Sequence, residues 1–375
     1  MSASRRFVRS AHVVCFWDGA DLILYNYACA TELTASAELA ALVDACEVPR
    51  TAAELLPRCP SLGAREVGQL LNLLIKFKML YPSVRAAERS EKAMSGFQAW
   101  NPAAGFFHMR TKDVPFTDRA DASKRQRARA RDWPMPRAVK RVRTSHVTPL
   151  PVATRRGEFS RVLLERRTWR RFGDRRVALA DLAHLLQYTA GIQHWVPARD
   201  LGKSALRTSP SGGARHSIEP YVLALRVDGL KPGLYHYASD RHQLARVRAG
   251  VRPGGVERYL PEQPWFEGAA ALVFFAATFE RVLWRYDYSR AYRAVLIEAG
   301  HLCQTFCLTA TSLGLAPFCS MALSDSTIER DLRLDGISES VLYAAGVGTR
   351  GHRIEEAMAP SGVRAPALIR NPAFD

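Results

Sequence analysis

Residues 1–85 begin with two apolar stretches of strand length and continue with apolar positions at helical spacing. Val13–Trp17 and Leu22–Tyr25 flank Asp18-Gly19, a dipeptide that readily adopts the positive φ angles of a tight turn. This pattern predicts a β-hairpin.

Three helices are predicted after the hairpin, over Ala37–Cys46, Ala52–Leu56 and Leu62–Leu80. Thr51 can cap the second helix, because Glu54 three positions later is the reciprocal partner of a capping box. A hairpin with a short helix-turn-helix has the outline of a winged helix, so a winged-helix-like domain is predicted for this first region.

The helical periodicity fades over residues 86–152. Within them, Arg119–Arg143 is dense in lysine and arginine, and Pro134 and Pro136 would break a helix. A charge run of this kind is typical of a solvated, mobile linker. A basic connecting segment is therefore predicted here.

Residues 153–352 alternate helices with strands without a strict βαβ repeat. Helices are predicted around Phe159–Leu163 and Asp181–Leu186. Strands are predicted at 220–227, 233–237, 269–277 and 341–347. This order predicts an α+β domain.

A long helix is predicted over about 289–313, with Gly314 as its stop, and residues 353–375 are expected to form a C-terminal tail. The apolar positions of this long helix recur at helical spacing at Val295, Ala299, Leu302, Phe306 and Ala310.

The length and charge of the chain narrow its class. At 375 residues it suits two domains. Its 53 lysines and arginines exceed its 36 aspartates and glutamates by 17, which favours anionic partners such as a phosphate-bearing cofactor or an acidic peptide. A genome rich in arginine codons would give the same bias.

No apolar run of about 18 residues occurs, so a cytoplasmic protein without a membrane span is expected.

The seven cysteines are an odd number and include no Cys-x-x-Cys pair. Neither a disulfide framework nor a zinc site is indicated, and no metal site is predicted. Cys303 and Cys307 share a helix face, where they are interpreted as small apolar fillers.

One polar loop, Thr208–Glu219, precedes the apolar run Tyr221–Leu225. Gly212 and Gly213 let the backbone reach positive φ angles and approach a ligand closely, and the neighbouring serines are small hydrogen-bond donors. Such a loop suits a flat ring with polar edges. A Ser/Gly stretch is also typical of an ordinary turn.

An Arg/Thr segment upstream contains Arg166, Arg167, Thr168 and Arg170. Arginine binds a phosphate dianion bidentately. Arg166 and Arg170 are four positions apart, so they would share a face at a helix end. The spacing fits a phosphate site or an exposed basic helix end.

The order of these segments resembles the SagB-type dehydrogenase branch of the flavin-dependent nitroreductase superfamily. The resemblance covers about two thirds of the chain and is carried by the Arg/Thr segment, the Pro210–Ala214 loop, Tyr286, and Glu298-Ala-Gly-His301. Trp100–Asp113 is similar to the aromatic, His-containing segment that precedes the core in that branch. The resemblance implies a nitroreductase-like FMN-binding fold, with a central mixed sheet flanked by helices, a long core helix, and a homodimer with FMN at the subunit interface.

The resemblance also implies FMN contacts in this chain. The Arg/Thr segment would bind the phosphate, Arg350 would close that site, and Gly346 and Gly348 are expected to follow a strand and allow close backbone approach. The implied cofactor-binding residues are Arg166, Arg167, Thr168, Arg170, Ser209, Pro210, Ser211, Gly212, Gly213, Ser320, Met321, Gly346, Gly348 and Arg350. Arg293 and Glu298 are expected to pair in a buried network, and His301 to be structural.

Members of the branch oxidise thiazolines and oxazolines to azoles on ribosomally made peptides, and a Lys-Tyr pair moves the proton. The matching residues here are Arg285 and Tyr286. Because arginine stays charged, Arg285 cannot be a base, although it could stabilise a phenolate on Tyr286 or bind an acidic substrate. Tyr286 is the predicted acid or base, and aromatic packing is its alternative role.

The leading hypothesis is an FMN-dependent dehydrogenase whose peptide substrate binds through a leader peptide, with a cyclodehydratase as a possible partner. The N-terminal domain could instead bind DNA or brace a dimer. The basic run shows no aromatic stacking pattern, which argues against nucleic acid as the partner.

Two alternative functions remain. One is an NAD(P)H-dependent nitro or quinone reductase, because this fold binds nicotinamide without a Gly-x-Gly-x-x-Gly motif. The other is a winged-helix DNA-binding regulator, which would show a steep salt dependence of duplex binding.

Overall fold

The structure is a computed structural model that describes residues 5–97, 102–116, 118–132, 157–198, 203–252, 255–286 and 288–369. The chain divides into two compact units. Unit 1 comprises Met1–Lys112, Thr278–Val295 and Asp335–Glu339. Unit 2 comprises Asp113–Ala277, Leu296–Leu334 and Ser340–Asp375.

The secondary structure interleaves strands and helices along the chain. The strands are β1 (Arg6–Arg9), β2 (Val13–Asp18), β3 (Asp21–Asn26), β4 (Thr31–Thr34), β5 (Arg50–Thr51), β6 (Leu80–Tyr81), β7 (His194–Pro197), β8 (Lys203–Leu206), β9 (Ile218–Ala224), β10 (Gly233–Ala238), β11 (Gln243–Ala249), β12 (Ala271–Thr278), β13 (Leu315–Ser320) and β14 (Glu339–Thr349). The helices are α1 (Ala37–Ala45), α2 (Ala52–Leu55), α3 (Ala64–Lys76), α4 (Val84–Ser90), α5 (Pro102–Arg110), α6 (Arg119–Asp132), α7 (Gly157–Glu165), α8 (Leu179–Ala190), α9 (Glu280–Leu283), α10 (Ala291–Ser312), α11 (Asp325–Leu332) and α12 (Ile354–Met358).

Unit 1 contains the predicted hairpin. Strands β2 and β3 pair from Val13–Asn26 to Asp18–Asp21, and Gly19 in the turn has a φ of 60°. Strand β4 extends this sheet, while β1 lies between β5 and β6 in a second small sheet.

The three predicted helices follow, and caps set their starts. The Ser36 side chain accepts from Leu39 N at 3.3 Å at the start of α1. Thr51 and Glu54 form the predicted capping box of α2, with bonds of 2.7 and 3.3 Å. Leucines of α1, α2 and α3 bury around Phe7 in one small core. The predicted combination of a hairpin and three helices is confirmed.

The region predicted as a connecting segment contains helices. Helix α6 occupies the first part of the basic run, and its described side chains are mostly exposed. Ala, Arg, Lys and Gln are strong helix formers, so this segment forms a helix although it buries no apolar face. Trp100, Pro134, Pro136 and the rest of the run to Arg143 lie outside the described residues.

Unit 2 is built on a six-stranded sheet in the order β11-β10-β9-β12-β14-β13. The registers of β11 with β10, β10 with β9, β9 with β12, and β13 with β14 are antiparallel. A parallel contact is the isolated bridge between Val177 and Val227. The α+β class is confirmed.

The long helix α10 agrees with its predicted pattern. Val295, Ala299, Leu302, Phe306 and Ala310 are all buried. Gly314 has a φ of 72° just after the last turn, which ends the helix as predicted. Within the described parts of the chain, no helix is both long and apolar enough to cross a membrane.

Candidate functional site

One buried carboxylate holds the glycine loop, Thr208–Glu219, on helix α10. Ser211 Oγ and Ser217 Oγ donate to Glu298 Oε2 at 2.6 and 3.1 Å, and Ile218 N donates to Oε1 at 3.2 Å. Glu298 is 3% exposed. Because a buried carboxylate is costly unless it is hydrogen-bonded, these three donors fix the loop and the helix to each other.

The sequence-based pairing of Glu298 with Arg293 is wrong. The loop donates to both carboxylate oxygens of Glu298, and Arg293 is exposed. Glu298 therefore connects the helix to the loop instead of to another residue of the helix.

Two more residues of α10 hold the same loop. Thr305 Oγ1 donates to His301 O at 3.0 Å, which uses its single hydrogen, so Ser209 Oγ donates to Thr305 Oγ1 at 2.7 Å. His301 Nδ1 lies 3.1 Å from the carbonyl oxygen of Pro210, to which it donates. These contacts give His301 a structural role.

The loop backbone presents donors that the fold does not use. Gly213, Ala214 and His216 have positive φ angles of 62°, 53° and 44°. Among the described residues, the N–H groups of Gly212 and Gly213 have no hydrogen-bond partner. Since the serine hydroxyls face α10, backbone N–H groups are the donors that remain for a ligand.

The Arg/Thr segment is not helical, so the prediction that Arg166 and Arg170 share a helix face is wrong. Helix α7 ends before Arg166. Trp169 N and Arg170 N donate to the carbonyl oxygens of Pro317 and Ala357, at 2.9 and 2.6 Å. These hydrogen bonds to residues distant in sequence replace the helical hydrogen bonds. The segment therefore runs extended beside the backbone of Pro317 and Ala357.

Arg166 and Thr168 are half-buried, and the fold does not use their side-chain polar groups. Within the described residues, neither the guanidinium nor the hydroxyl makes a hydrogen bond or an ion pair. By contrast, Arg167 Nη1 donates to two carbonyl oxygens at the end of α7, at 2.7 and 2.8 Å. Arg170 Nη1 donates to Met358 O at 2.9 Å. The segment thus leaves one cation and one hydroxyl for an anion.

Arg350 connects the end of α10 to the start of β13. Its Nε donates to Leu315 O at 2.8 Å and its Nη2 to Thr311 O at 3.3 Å, and the guanidinium lies 5.3 Å from the Trp169 ring centroid. Burial lowers the pKa of Arg350, and the nearby charge of Glu165 opposes that shift. Its contact with a phosphate stays a prediction.

Gly346 and Gly348 lie inside β14, not after a strand as predicted. A Cβ on Gly346 would come within 2.2 Å of the Phe318 ring, and one on Gly348 within 2.6 Å of the Phe172 ring. Phe318 stacks on Phe266 with 3.8 Å between centroids and an interplanar angle of 9°. The space beside both glycines is filled by rings of the core.

Ser320 is the last residue of β13, and Met321 follows it. Ser320 Oγ donates to Gln263 Oε1 at 2.6 Å and accepts from Ala322 N at 3.1 Å. Met321 is 74% exposed. An exposed, flexible thioether at the end of a strand is available for contact with a ligand.

The structure gathers three cysteines that the sequence pattern did not connect. The Sγ atoms of Cys303, Cys307 and Cys319 lie within 4.8 Å of one another, and Tyr343 Oη donates to Cys319 Sγ at 3.3 Å. Hydrogen bonds from Cys303 and Cys307, then from Tyr343, lower the pKa of Cys319 against the effect of burial, and the charge of Arg166 acts in the same direction. The interpretation of Cys303 and Cys307 as isolated fillers is therefore incomplete.

The predicted catalytic pair lies in unit 1. The Arg285 guanidinium lies 5.8 Å from the Tyr286 ring centroid, and the Tyr286 ring lies 5.9 Å from that of Tyr288. Tyr286 is half-buried and Arg285 is exposed, while Asp287 lies outside the described residues. The acid–base role of Tyr286 stays a prediction.

Unit 1 also contains a buried histidine–tyrosine contact. His108 Nδ1 lies 2.8 Å from Tyr292 Oη, and the imidazole packs edge-on against Phe279. Burial lowers the pKa of His108 to about 3, and the charge of Lys112 adds to the shift. At neutral pH this imidazole is uncharged, and Nδ1 shares a hydrogen bond with the Tyr292 hydroxyl.

The six-stranded sheet, the long buried helix and the loop anchored on that helix define the nitroreductase-like α+β fold of an oxidoreductase. The sequence model of the Nitroreductase family matches residues 163–349. Protein MJ1384 of Methanocaldococcus jannaschii, whose name assigns it to the nitroreductases, is 30% identical over 173 residues, covering 46% of this chain and 83% of its own. The chain belongs to the nitroreductase family.

One further relative and one solved structure are similar to this chain. The trifolitoxin-processing protein TfxB of Rhizobium leguminosarum bv. trifolii is 31% identical over 172 residues, covering 45% of this chain and 46% of its own. A chain of the E. coli microcin synthetase McbBCD complex with truncated pro-MccB17 bound is 20% identical, with a TM-score of 0.49, and the match covers 69% of this chain and 97% of that chain. This likeness to McbBCD is one of overall fold and carries no information on activity.

Proposed function

We propose that this protein is an FMN-dependent dehydrogenase of the SagB type, which oxidises azoline rings to azoles in a ribosomally synthesised peptide. The observation that carries the peptide half of this proposal is the similarity to TfxB, a protein named for processing trifolitoxin. The redox half is supported by membership of the nitroreductase family, which generally binds FMN.

The donor set of unit 2 fits FMN. A flavin phosphate needs a fixed cation, and the half-buried guanidinium of Arg166 has no hydrogen-bond or ion-pair partner among the described residues, nor does the hydroxyl of Thr168 two positions later. A flavin ring needs N–H donors at its polar edge, and Gly212 and Gly213 offer two. Glu298 would keep those donors in place through its three hydrogen bonds to the loop.

The reaction removes two hydrogens from the azoline ring. Bound FMN would supply the two-electron acceptor. The protein must supply a base for the ring proton, and Tyr286 is the proposed base. Arg285 stays protonated and would stabilise negative charge on the tyrosine or on the peptide.

The charge of the chain supports a peptide partner. An excess of 17 positive charges would attract an acidic leader peptide, for which unit 1 is the proposed binding region. A cyclodehydratase that forms the azolines is the proposed partner enzyme, and a homodimer with FMN at the subunit interface is the proposed assembly.

A second candidate function is NAD(P)H-dependent nitro or quinone reduction. Its support is MJ1384, whose name assigns it to the nitroreductases and whose match covers 83% of its own length. Nicotinamide reactivity separates the two candidates, because a reductase must accept electrons from NADH or NADPH and a peptide dehydrogenase need not.

The separating experiment is an anaerobic visible spectrum of the purified protein, recorded before and after addition of NADH or NADPH. The proposal predicts a yellow protein whose flavin absorption persists for minutes with either nucleotide. Rapid bleaching would favour the reductase. A colourless protein that takes up no added FMN would refute both candidates.

A further inference from the structure

The three clustered cysteines come from two elements of unit 2. Cys303 and Cys307 are one helical turn apart on α10, and Cys319 lies on β13. Helix residues four positions apart share a face, and here the strand brings a third sulfur against that face. All three Sγ atoms lie within 4.8 Å of one another.

This spacing matches a metal ion held by three sulfurs. Three sulfurs at about 2.3 Å from a central ion in a plane are about 4.0 Å apart. The thiols would therefore need to approach one another by at most about 1 Å. The set arises from chain topology and could not be seen in the spacing of cysteines along the sequence.

The surroundings of the cluster provide one hydrogen-bond donor and one route in from solvent. The Tyr343 hydroxyl donates to Cys319 Sγ at 3.3 Å, and a donor of this kind orients a ligand atom towards a bound ion. Cys303 and Cys307 are 3% and 4% exposed, whereas Cys319 is only half-buried. An ion would enter beside Cys319.

We propose that Cys303, Cys307 and Cys319 form a binding site for one thiophilic metal ion, Cu(I) in preference to Zn²⁺. Soft thiolates select Cu(I), which accepts three ligands, whereas structural Zn²⁺ almost always takes four. Among the described residues, no fourth His, Cys, Asp or Glu side chain joins the cluster. Each thiol that binds releases its proton to solvent, and the copper keeps its oxidation state.

The test is anaerobic equilibrium dialysis of the reduced full-length protein against Cu(I) buffered by a chelator, with bound copper counted by atomic absorption. One tightly held ion per chain is expected in the wild type. Loss of a group that is hydrogen-bonded to a metal ligand weakens metal binding roughly 10- to 100-fold, so Tyr343→Phe should weaken copper binding within that range. Cys319→Ser removes a ligand itself and should weaken copper binding by more.

Matched controls separate this site from other thiols. The double variant Cys15→Ser/Cys29→Ser removes the exposed cysteines, and Cys59→Ser removes a buried one from unit 1. Both should keep the tightly bound ion. Equal affinity in the wild type and in Cys319→Ser would overturn the proposal, and displacement of Cu(I) by equimolar Zn²⁺ would contradict the choice of ion.

A measurement on the unmodified protein covers the case in which Cys319→Ser does not fold. The X-ray absorption spectrum of the copper-loaded wild type should show three sulfur neighbours and no nitrogen or oxygen neighbour. Two sulfurs, or a mixed shell, would refute the three-cysteine site whatever the variants show.

Discussion

Ser211 Oγ and Glu298 Oε2 lie 2.6 Å apart and join the glycine loop to the long helix. Two further donors, Ser217 Oγ and Ile218 N, complete the shell around the same carboxylate. The loop that offers backbone N–H groups to a ligand is therefore held by a residue that would not itself contact that ligand. Three predictions address this arrangement, the phosphate site and the proton role, and two address stability.

Glu298→Gln should destabilise the fold and weaken FMN binding. The glutamine amide would place an N–H donor against one of three donors that now face a carboxylate, which costs about 1–3 kcal/mol. Urea unfolding gives the free energy of unfolding, and dialysis gives the FMN retained. Glu280→Gln, at an exposed position, is the control and should change neither. Unchanged values in Glu298→Gln would show that the loop does not depend on this carboxylate.

Arg166→Ala should release FMN without destabilising unit 2. A charged hydrogen bond to phosphate contributes about 1.5–3 kcal/mol, so the dissociation constant for FMN should rise about 10- to 100-fold. Fluorescence titration of the apoprotein measures it. Arg161→Ala is the matched control, because Arg161 pairs with Glu158 and Glu165 at exposed positions on α7. Equal FMN affinity in the two variants would remove Arg166 from the phosphate site.

Tyr286→Phe should retain FMN and stop oxidation of the azoline peptide. The change removes only the hydroxyl, so binding survives while the proposed proton acceptor is lost. Turnover measured by mass spectrometry and flavin content measured by absorption distinguish the two effects. Tyr288→Phe, a neighbouring tyrosine that is 51% exposed, should behave as the wild type. If both variants turn over normally, Tyr286 is not the base.

Gly346→Ala should destabilise unit 2 through its core. The new Cβ would lie within 2.2 Å of the Phe318 ring, and overpacking of this kind costs about 1–3 kcal/mol. A Phe318→Leu background provides the control, since the cost of Gly346→Ala should be smaller there if the two residues are coupled. Additive costs in denaturant unfolding would contradict the contact.

His108 should make unit 1 less stable in mild acid. Its pKa is about 3 in the folded protein and near 6.5 in the unfolded chain. Between these values the unfolded chain binds the extra proton, so the free energy of unfolding falls as the pH drops from 6.5 towards 3. From pH 7 to pH 5 the loss from this residue is about 2 kcal/mol.

The comparison that isolates this effect is His108→Gln, which cannot titrate, against His194→Gln at an exposed position. Denaturant unfolding of each variant at pH 7 and pH 5 should show a smaller acid loss only in His108→Gln. An equal loss in all three proteins would assign the pH dependence to other groups.

Local signals in the sequence were sufficient for much of the fold. The turn at Asp18-Gly19, the capping box of Thr51 and Glu54, and the stop at Gly314 are short-range features, and the elements they bound form as predicted. Apolar spacing along α10 likewise follows from one helix face and needs no knowledge of its neighbours.

The errors concern residues whose environment is set by distant parts of the chain. Gly346 and Gly348 are predicted to follow a strand, but they lie within one, where Phe318 and Phe172 occupy the space beside them. Arg170 follows Arg166 at helical spacing, yet backbone bonds from this segment to Pro317 and Ala357 prevent the helix from continuing.

Residue type alone did not give the contacts that the predicted site residues make. Ser211 was expected to face a ligand, but its hydroxyl is committed to Glu298, and only the folded loop shows that Gly212 and Gly213 carry the remaining donors. Cys319 is separated from Cys303 by a helix end and a turn, so no spacing rule could join them.

The most direct test of the proposed function uses a peptide whose azolines have been made by a cyclodehydratase. Incubation with the FMN-loaded protein in air, followed by mass spectrometry, should show the loss of two hydrogens for each ring oxidised, and no loss with Tyr286→Phe. A protein that contains FMN, leaves every azoline intact and consumes NADPH in the presence of a nitroarene or quinone would contradict the account.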